Sequence, residues 1–326
     1  MEKHLAEIDF IKGCAILGVL LLHSLNDEVR TLICSYIYIG QAVPIFIAVT
    51  FYLSFINLQK HSNYIKYWFS KRRIKSLFKR IVLPVFVINV VMISICFVSG
   101  YKRQIINMLE SGGGGPGSYY LWIYLQLWLL IPIIYKMFDT KHKYKGVILI
   151  LIASVLCNIF CSVFTISHGI YRLLCVRYLF LSAIAWIWIY RKYFNRFLIY
   201  GLSVCSLLYL IFIAGCDPQP FVYEGGWGSQ NYPIYFWTYS LIIGLLYLYL
   251  KINHLKIRRL ICWMGSNSWE IFVMQMLVFW CFRPSMCNIY SLTELNQVIY
   301  VLVTIIASVF PIVLYKKVKI RFLNSK

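Results

Sequence analysis

The sequence predicts an all-α polytopic membrane protein, with one domain over residues 1–326, a bundle of about ten transmembrane helices and both termini in the cytoplasm. Of the 326 residues, 61% are hydrophobic and only 13% are charged, and the mean hydropathy is +0.72. Soluble domains average about half apolar and about a quarter charged residues. Apolar stretches also recur from residue 8 to residue 316 with no polar domain between them.

Ten apolar segments have the approximate length of a membrane span. A helix needs about 20 residues to cross the hydrocarbon core. The predicted spans are residues 8–25, 33–57, 81–99, 119–138, 146–166, 172–190, 197–215, 233–250, 269–283 and 297–315. The first span is not predicted to be a cleaved signal peptide, because it contains Asp9 and Lys12 and lacks a small-residue cleavage site.

The lysine and arginine residues are distributed unequally between the two sides of this arrangement. Connecting segments and span ends on the side of the N-terminus hold 25 of the 32 Lys and Arg residues, and those on the other side hold five. Basic residues collect in the cytoplasmic loops of membrane proteins. The distribution therefore supports ten spans and predicts that both termini are cytoplasmic.

The net charge of +21 and the 11 cysteines do not favour nucleic-acid binding or a metal centre. Such a charge suggests nucleic acid in a soluble protein, but in a membrane protein it is typical of basic loops. No two cysteines have CxxC spacing, and most lie in apolar runs, where a thiol packs as a small hydrophobe. We expect no metal and no nucleic-acid partner, and a disulfide between Cys216 and Cys287 stays open.

Ionisable residues within the first span are the strongest indication of function, because charges are costly at membrane depth. Lys12 and His23 are eleven residues apart, so they lie within about 20° of one helix face and about 16 Å apart along the axis. Asp9 can pair with Lys12. Histidine titrates near neutral pH, which makes His23 the natural general base. The plainer alternatives are a snorkelling Lys12 and an interfacial His23.

A dense basic stretch precedes the third span. Residues 59–80 include Arg72, Arg73, Lys79 and Arg80. Paired cationic side chains suit phosphate groups, and arginine adds a bidentate fork. The alternative is that these residues serve only topology and attraction to anionic lipid.

Three further features lie in later spans and outer loops. Arg177, in the sixth span, is expected to face the bundle interior. The segment Ser-Gly-Gly-Gly-Gly-Pro-Gly-Ser at 111–118 predicts a flexible linker, and it lacks the Lys-Ser/Thr pair of a phosphate loop. The loop at 216–233 carries Trp227 among acidic and aromatic residues, which could stack on a sugar or form an interfacial aromatic belt.

Five motifs, taken in order, resemble the membrane-bound acyltransferase-3 family. Residues 8–13 and Leu22-His23 are similar to its opening signature, in which a basic residue is followed by ten others and then a histidine. The other similar segments are residues 43–47, Arg80 with Pro84, residues 120–124 with Pro132, and residues 265–268 before 271–273. The resemblance spans about residues 8–315.

Proteins of that family O-acylate cell-envelope glycans, so the resemblance implies a multi-pass enzyme of the bacterial inner membrane. It implies acetyl-CoA or another acyl-CoA as cytoplasmic donor, and a hydroxyl of a polysaccharide or lipid-linked oligosaccharide as acceptor. The expected catalytic set is His23 as base with Lys12 and Asp9. The donor is expected to bind Arg72, Arg73, Lys79 and Arg80. The acceptor is expected to contact Trp122, Tyr124, Arg177, Trp227 and Gln275.

The sequence departs from the family pattern at four places. Lys12 stands where arginine is commoner, which keeps the charge but loses the fork. Thr50 begins a Thr-Phe pair where Ser-Gly is usual, and Leu77 interrupts an Arg-x-x-Arg motif. Gln275 replaces a frequent second histidine. The oligomeric state stays open.

A transporter or flippase for a lipid-linked glycan is the main alternative function. It would also have ten or more spans and a buried arginine. It needs no basic residue and histidine aligned on one helix, however, and it often has internal repeats, which are not evident in this sequence. A glycan polymerase would carry a large outer loop with paired arginines, and a structural membrane component is the plainest alternative.

Overall fold

The computed structural model describes residues 2–138, 141–216, 230–252, 254–282 and 294–324. These parts of the chain contain helices and no β-strand, which confirms the predicted all-α class. The α-helices are α1 (Glu2–Ser24), α2 (Asp27–Leu32), α3 (Ala42–Leu58), α4 (Tyr64–Trp68), α5 (Lys71–Leu77), α6 (Leu83–Val98), α7 (Lys102–Glu110), α8 (Tyr119–Met137), α9 (Lys143–Val163), α10 (His168–Leu173), α11 (Leu181–Ile189), α12 (Arg196–Cys216), α13 (Tyr235–Lys251), α14 (Leu255–Ser266), α15 (Ser268–Cys281) and α16 (Glu294–Asn324).

The membrane spans agree with the sequence prediction. Seven helical segments of the described chain are long and apolar enough to cross a membrane, and each coincides with a predicted span. Two shorter apolar helices, Val176–Ile189 and α15, occupy the sixth and ninth predicted spans. The remaining predicted span is α1, which is 23 residues long and carries Glu7, Asp9 and Lys12 in its first half.

Two predicted spans are not single helices. The second begins with two 3-10 turns, Ser35–Ile37 and Ile39–Gln41, before α3 starts. The sixth is divided into α10, a 3-10 turn at Val176–Tyr178, and α11. Hydropathy predicts the length of an apolar run but not the backbone breaks within it.

α1 is the central helix of the bundle. It packs most extensively against α14, and it also contacts α3, α13, α15 and α16. Ile8, Ile11, Ile16 and Leu20 of this helix are buried. Because lipid is as apolar as these side chains, close packing rather than removal from water stabilises such contacts within a bilayer.

Two glycines permit a close crossing of α1 and α14. A Cβ atom on Gly13 would overlap the backbone carbonyl of Ile261, and a Cβ atom on Gly265 would overlap that of Asp9. Small residues allow helix backbones to approach in this way. The crossing holds the turn of α1 that carries Asp9 and Lys12 against the junction of α14 and α15.

The basic stretch before the third span is helical from Lys71 onward. α5 continues through a π-helical turn at Phe78–Val82 into α6, so that one helix extends to Val98. π-helical turns often occur at functional sites. Trp68 at the end of α4 is buried, and its Nε1 donates to the carbonyl oxygen of Trp128 in α8 at 2.8 Å. This bond anchors residues 59–80, which we call the basic segment, to the bundle.

The glycine-rich segment 111–118 is packed into the bundle, so the prediction of a flexible linker was wrong. Positive φ angles, which favour glycine, occur at Gly112 (79°), Gly113 (140°), Gly115 (78°) and Gly117 (84°). A Cβ atom on Gly115 would overlap the backbone of Met276 in α15. One on Gly117 would lie 2.9 Å from the ring of Phe272. The glycines therefore let this segment lie directly on α15.

Candidate active site

A cavity of about 1310 Å³ lies between the basic segment, α1, α8, α16 and the α14–α15 junction. Six cationic side chains and one carboxylate, Glu270, line it. The cations are Lys12, Arg72, Arg73, Lys79, Arg80 and Lys316. Because so many like charges share one concave surface, the cavity attracts polyanions. We call it the basic cavity.

The basic cavity brings together most of the predicted donor and catalytic residues. All four cations predicted to bind the donor line it together with Lys12, and Tyr124 lines it as well. Sequence reasoning did not identify Lys316 or Glu270 as site residues. Lys316 hydrogen-bonds Asn267, which joins α16 to the start of α15. In the sequence, Lys316 is marked only by the basic run that follows the last span, and topology alone explains such a run.

Lys12 forms the ion pair that its spacing from Asp9 predicts. The Nζ atom of Lys12 lies 2.7 Å from Oδ1 of Asp9, and the two side chains are 23% and 26% exposed. An ion pair with this exposure contributes at most about 1 kcal/mol to stability. Its main effect is to orient the Lys12 side chain at the wall of the basic cavity.

Arg73 is held by aromatic side chains of α4. Its Nη1 donates to the hydroxyl of Tyr67 at 2.9 Å, and its guanidinium carbon lies 4.1 Å from the ring centroid of Trp68. A cation–π contact of this kind contributes about 0.5–1 kcal/mol. Arg72 and Arg80 are exposed on the same wall. Their guanidinium groups are therefore accessible to an anion that enters the cavity.

Four aromatic rings pack together at the inner side of the basic cavity, and two of them line it. Tyr124 and Trp269 line the cavity directly. Trp269 stacks on Phe272 at a centroid distance of 5.5 Å, and Tyr120 lies 5.4 Å from Phe272. Within the described residues the indole Nε1 of Trp269 has no hydrogen-bond partner. The wall therefore contains a buried N–H donor that the described residues leave without a partner.

Gln275 lies next to Phe272 beneath the glycine-rich segment. Its side chain is 0% exposed, and its Nε2 donates to the carbonyl oxygen of Pro116 at 3.1 Å. Its Oε1 finds no hydrogen-bond partner in the part of the chain that the structure describes. Unsatisfied buried acceptors are uncommon in native proteins and often have a functional reason.

His23 lies near the other end of α1 and does not line the basic cavity. The side chain is half-buried, and its ring makes an edge contact with Phe279 of α15 at a centroid distance of 5.8 Å. The carbonyl oxygen of Ser24 accepts a hydrogen bond from Nε2 of Gln297 at 2.7 Å. This bond joins the end of α1 that carries the imidazole to α16.

Of the predicted acceptor contacts that the structure describes, Trp122, Arg177 and Gln275 do not line the basic cavity. Trp122 is 46% exposed, and its Nε1 donates to the carbonyl oxygen of Gly112 at 2.7 Å. Arg177 is 1% exposed with its guanidinium carbon 4.7 Å from the ring centroid of Tyr178, which confirms that it faces the bundle interior. Trp227 lies outside the described residues, as does Cys287 of the disulfide left open above.

The basic cavity has the chemistry of an anion site. Guanidinium and ammonium groups from α1, the basic segment and α16 surround one opening, and arginine binds phosphate oxygens through two parallel hydrogen bonds. The described residues contain no group of three or more His, Cys, Asp or Glu side chains that could hold a metal ion. The cations that line the basic cavity therefore fit phosphate groups.

Comparisons with known proteins identify the family. No curated protein and no solved structure matches this chain. A family model described as an acyltransferase domain matches residues 5–316, nearly the whole chain. The matched region contains Lys12 and His23 of α1, all six cations of the basic cavity, and the ten spans predicted from the sequence. The chain therefore belongs to the acyltransferase-3 family, and it is a multi-pass membrane acyltransferase.

Proposed function

We propose that this enzyme is an O-acetyltransferase of the bacterial inner membrane. It takes an acetyl group from cytoplasmic acetyl-CoA and transfers it to a hydroxyl of a cell-surface polysaccharide or a lipid-linked oligosaccharide. The observation that carries the proposal is the basic cavity, with its six cations and one carboxylate. Membership of an acyltransferase family favours this activity over transport of a lipid-linked glycan.

The basic cavity suits the donor in both charge and size. Its volume of about 1310 Å³ exceeds the roughly 300–1,000 Å³ of pockets that bind drug-sized ligands. Arg72, Arg73 and Arg80 would hold phosphate oxygens through their guanidinium groups. Lys79, on the same wall, adds a point charge. When bound, the donor supplies an activated thioester.

The thioester has to reach the opposite end of α1. Lys12 and His23 are about 16 Å apart along the helix, a distance within the reach of an extended pantetheine arm. The rings of the inner wall and Gln275 lie on α8 and α15, which both contact the glycine-rich segment. We expect Trp269 Nε1 to donate to an amide carbonyl of the arm. Gln275 Oε1, which the sequence assigned to the acceptor, is here expected to accept from an amide N–H of the arm instead.

His23 is proposed to act as the general base. An imidazole nitrogen accepts the proton of the acceptor hydroxyl while the hydroxyl oxygen bonds to the thioester carbonyl carbon. The carbon–sulfur bond then breaks, and the proton passes from the imidazolium to the departing thiolate. The products are an ester, a free thiol and neutral His23. General base catalysis of this kind contributes about 10²–10⁴-fold to the rate.

The His23→Ala variant tests the base. Transfer of label from acetyl-CoA to glycan in bacterial membranes should fall by at least about a hundredfold, because the step then lacks its proton acceptor. His168→Ala is a matched control, since it removes an exposed histidine at the start of α10, and its rate should stay unchanged. Wild-type activity of His23→Ala at normal expression would contradict the base role.

The Arg80→Ala variant tests the donor site. Loss of one phosphate contact should raise the KM for acetyl-CoA by about tenfold, the equivalent of one charge-assisted hydrogen bond. The KM for S-acetylpantetheine, which lacks the nucleotide, should not change. Lys75→Ala is the control, because Lys75 lies in α5 but does not line the basic cavity. If both variants raise the KM for acetyl-CoA equally, the basic residues serve membrane topology and do not bind the donor.

A further inference from the structure

A second group of cations lies at the junction of α11 and α12, away from the basic cavity. Arg191 and Lys192 line two adjacent cavities of about 250 and 490 Å³, and Arg196 lines the smaller one. None of these cations lines the basic cavity. The proposed acetyl transfer gives them no role.

In the described parts of the chain, these cations have no acidic partner to neutralise them. Among the described residues, no carboxylate lies within ion-pair distance of Arg191, Lys192 or Arg196. Glu7 of α1 lines the larger cavity without forming such a pair. The three side chains are exposed, so they are available to an anion from outside the protein.

Apolar side chains form the walls next to the charges. In the smaller cavity the walls include Ile187, Ile199 and Ile243. In the larger cavity Tyr52 and Trp188 stack at a centroid distance of 3.9 Å, which gives a rigid flat wall. A site that places cations directly beside hydrocarbon walls suits an amphiphile better than a free nucleotide or inorganic phosphate.

The surrounding surface continues this apolar character. Phe197 and Leu198 at the start of α12 are 89% and 53% exposed. Leu250, which lines the larger cavity at the end of α13, is 62% exposed. Tyr193 and Tyr200 are also exposed and line the larger and the smaller cavity, respectively. Exposed aromatic residues near cations are typical of the headgroup level of a membrane.

We propose that the two cavities form a binding site for an anionic phospholipid of the cytoplasmic leaflet. Arg191, Lys192 and Arg196 bind the phosphate, and the acyl chains lie along the exposed faces of α12 and α13. Basic pockets between membrane helices on the cytoplasmic side bind anionic headgroups in this way. The charge distribution predicts this end of the bundle to be cytoplasmic. The shared chemistry is a phosphate group, and the apolar walls favour lipid as its source.

Native mass spectrometry of the full-length protein in detergent tests this site. Phosphatidylglycerol and phosphatidylcholine with identical acyl chains are titrated against the wild type and a variant with Arg191→Gln, Lys192→Gln and Arg196→Gln. The wild type should bind phosphatidylglycerol at least about tenfold more tightly, because each cation near the surface adds to the attraction. The triple variant should lose that preference.

Two controls make the result decisive. The variant with Lys256→Gln, Arg258→Gln and Arg259→Gln removes equal charge from α14, which lines neither cavity, and it should keep the preference. Glycerophosphoglycerol, which has the headgroup without chains, should not displace the lipid. Equal loss in both triple variants, or displacement by the soluble headgroup, would overturn the proposal. If the triple variant does not fold, Arg196→Gln alone should weaken the preference and Arg196→Lys should retain it.

Discussion

Two glutamines of the bundle differ in how fully their amide groups are hydrogen-bonded. Gln126 donates to the carbonyl oxygen of Leu173 at 2.6 Å and accepts from the N–H of Cys175 at 3.1 Å. Gln275 donates to Pro116, whereas its Oε1 has no partner among the residues described. Gln126 thus bridges two backbone groups as a structural residue does. In the function proposed above, Oε1 of Gln275 accepts from an amide N–H of the donor.

Substitution of each glutamine by leucine should separate these roles. Gln126→Leu leaves the carbonyl of Leu173 and the N–H of Cys175 without their partner. Each buried group left unpaired costs about 1–3 kcal/mol. The variant should therefore have a lower Tm and an unchanged kcat/KM. Gln275→Leu removes an unsatisfied acceptor along with one bond, so its Tm should fall less. Its kcat/KM for acetyl-CoA should fall by about tenfold, the loss of one hydrogen bond. Full activity with a lower Tm would make Gln275 structural.

The sequence predicted only part of the candidate site. Lys12 and Arg80 were identifiable because each occupies a motif position at the basic end of a span. Lys316 and Glu270 enter the basic cavity only because α16 and α15 pack near α1. Charge counting cannot separate Lys316 from lysines that only set topology. The unpaired oxygen of Gln275 depends on tertiary contacts, and no sequence pattern reveals it.

The crossing of α1 and α14 is the contact between elements that positions the Asp9–Lys12 pair. Gly265 of α14 lies against the backbone of Asp9, so the two helices approach as closely as their main chains allow. The next helix, α15, begins at Ser268 and supplies Trp269 and Glu270 to the basic cavity. The cavity geometry therefore depends on this crossing.

Gly265→Ala should disturb the crossing, because its Cβ atom meets backbone that cannot rotate away. Overpacking of this kind costs about 1–3 kcal/mol or more, so the Tm should fall and the KM for acetyl-CoA should rise. Gly201→Ala in α12 is the control, since nothing lies within 4 Å of its Cβ position. That variant should have an unchanged or higher Tm, as alanine favours helix over glycine. If the Gly265→Ala variant melts at the same temperature as the wild type, α14 can shift away from α1 at no cost in stability.

Elements were easier to predict than their interruptions. Ten apolar runs gave the spans because the bilayer thickness imposes a minimum length on each. The 3-10 turns at Ser35–Ile37 and Val176–Tyr178 lie within apolar sequence, so hydropathy does not mark them. The segment 111–118 has the composition of a linker, yet two of its glycines, Gly115 and Gly117, are required by the close approach to α15. Composition cannot distinguish glycine used for flexibility from glycine used for packing.

The charge of the whole molecule is arranged along the membrane normal. Of its 32 Lys and Arg residues, 25 belong to the side predicted to be cytoplasmic. Five of the six cations of the basic cavity belong to that side, and so do Arg191, Lys192 and Arg196. A single asymmetry would thus set the topology and attract anionic ligands to one membrane face. His23, at the other end of α1, is left for the proposed acceptor side.

This asymmetry predicts a donor-specific dependence on ionic strength. The Debye length falls from about 10 Å at 0.1 M salt to about 3 Å at 1 M, and Arg72, Lys79 and Arg80 are exposed enough to be screened. The KM for acetyl-CoA should therefore rise several-fold over this range in proteoliposomes, while kcat stays constant. S-acetylpantetheine, without nucleotide phosphates, should show a nearly flat KM. A parallel rise for both donors would mean that salt acts on the fold or the acceptor, and the basic cavity would then have no electrostatic role in binding the donor.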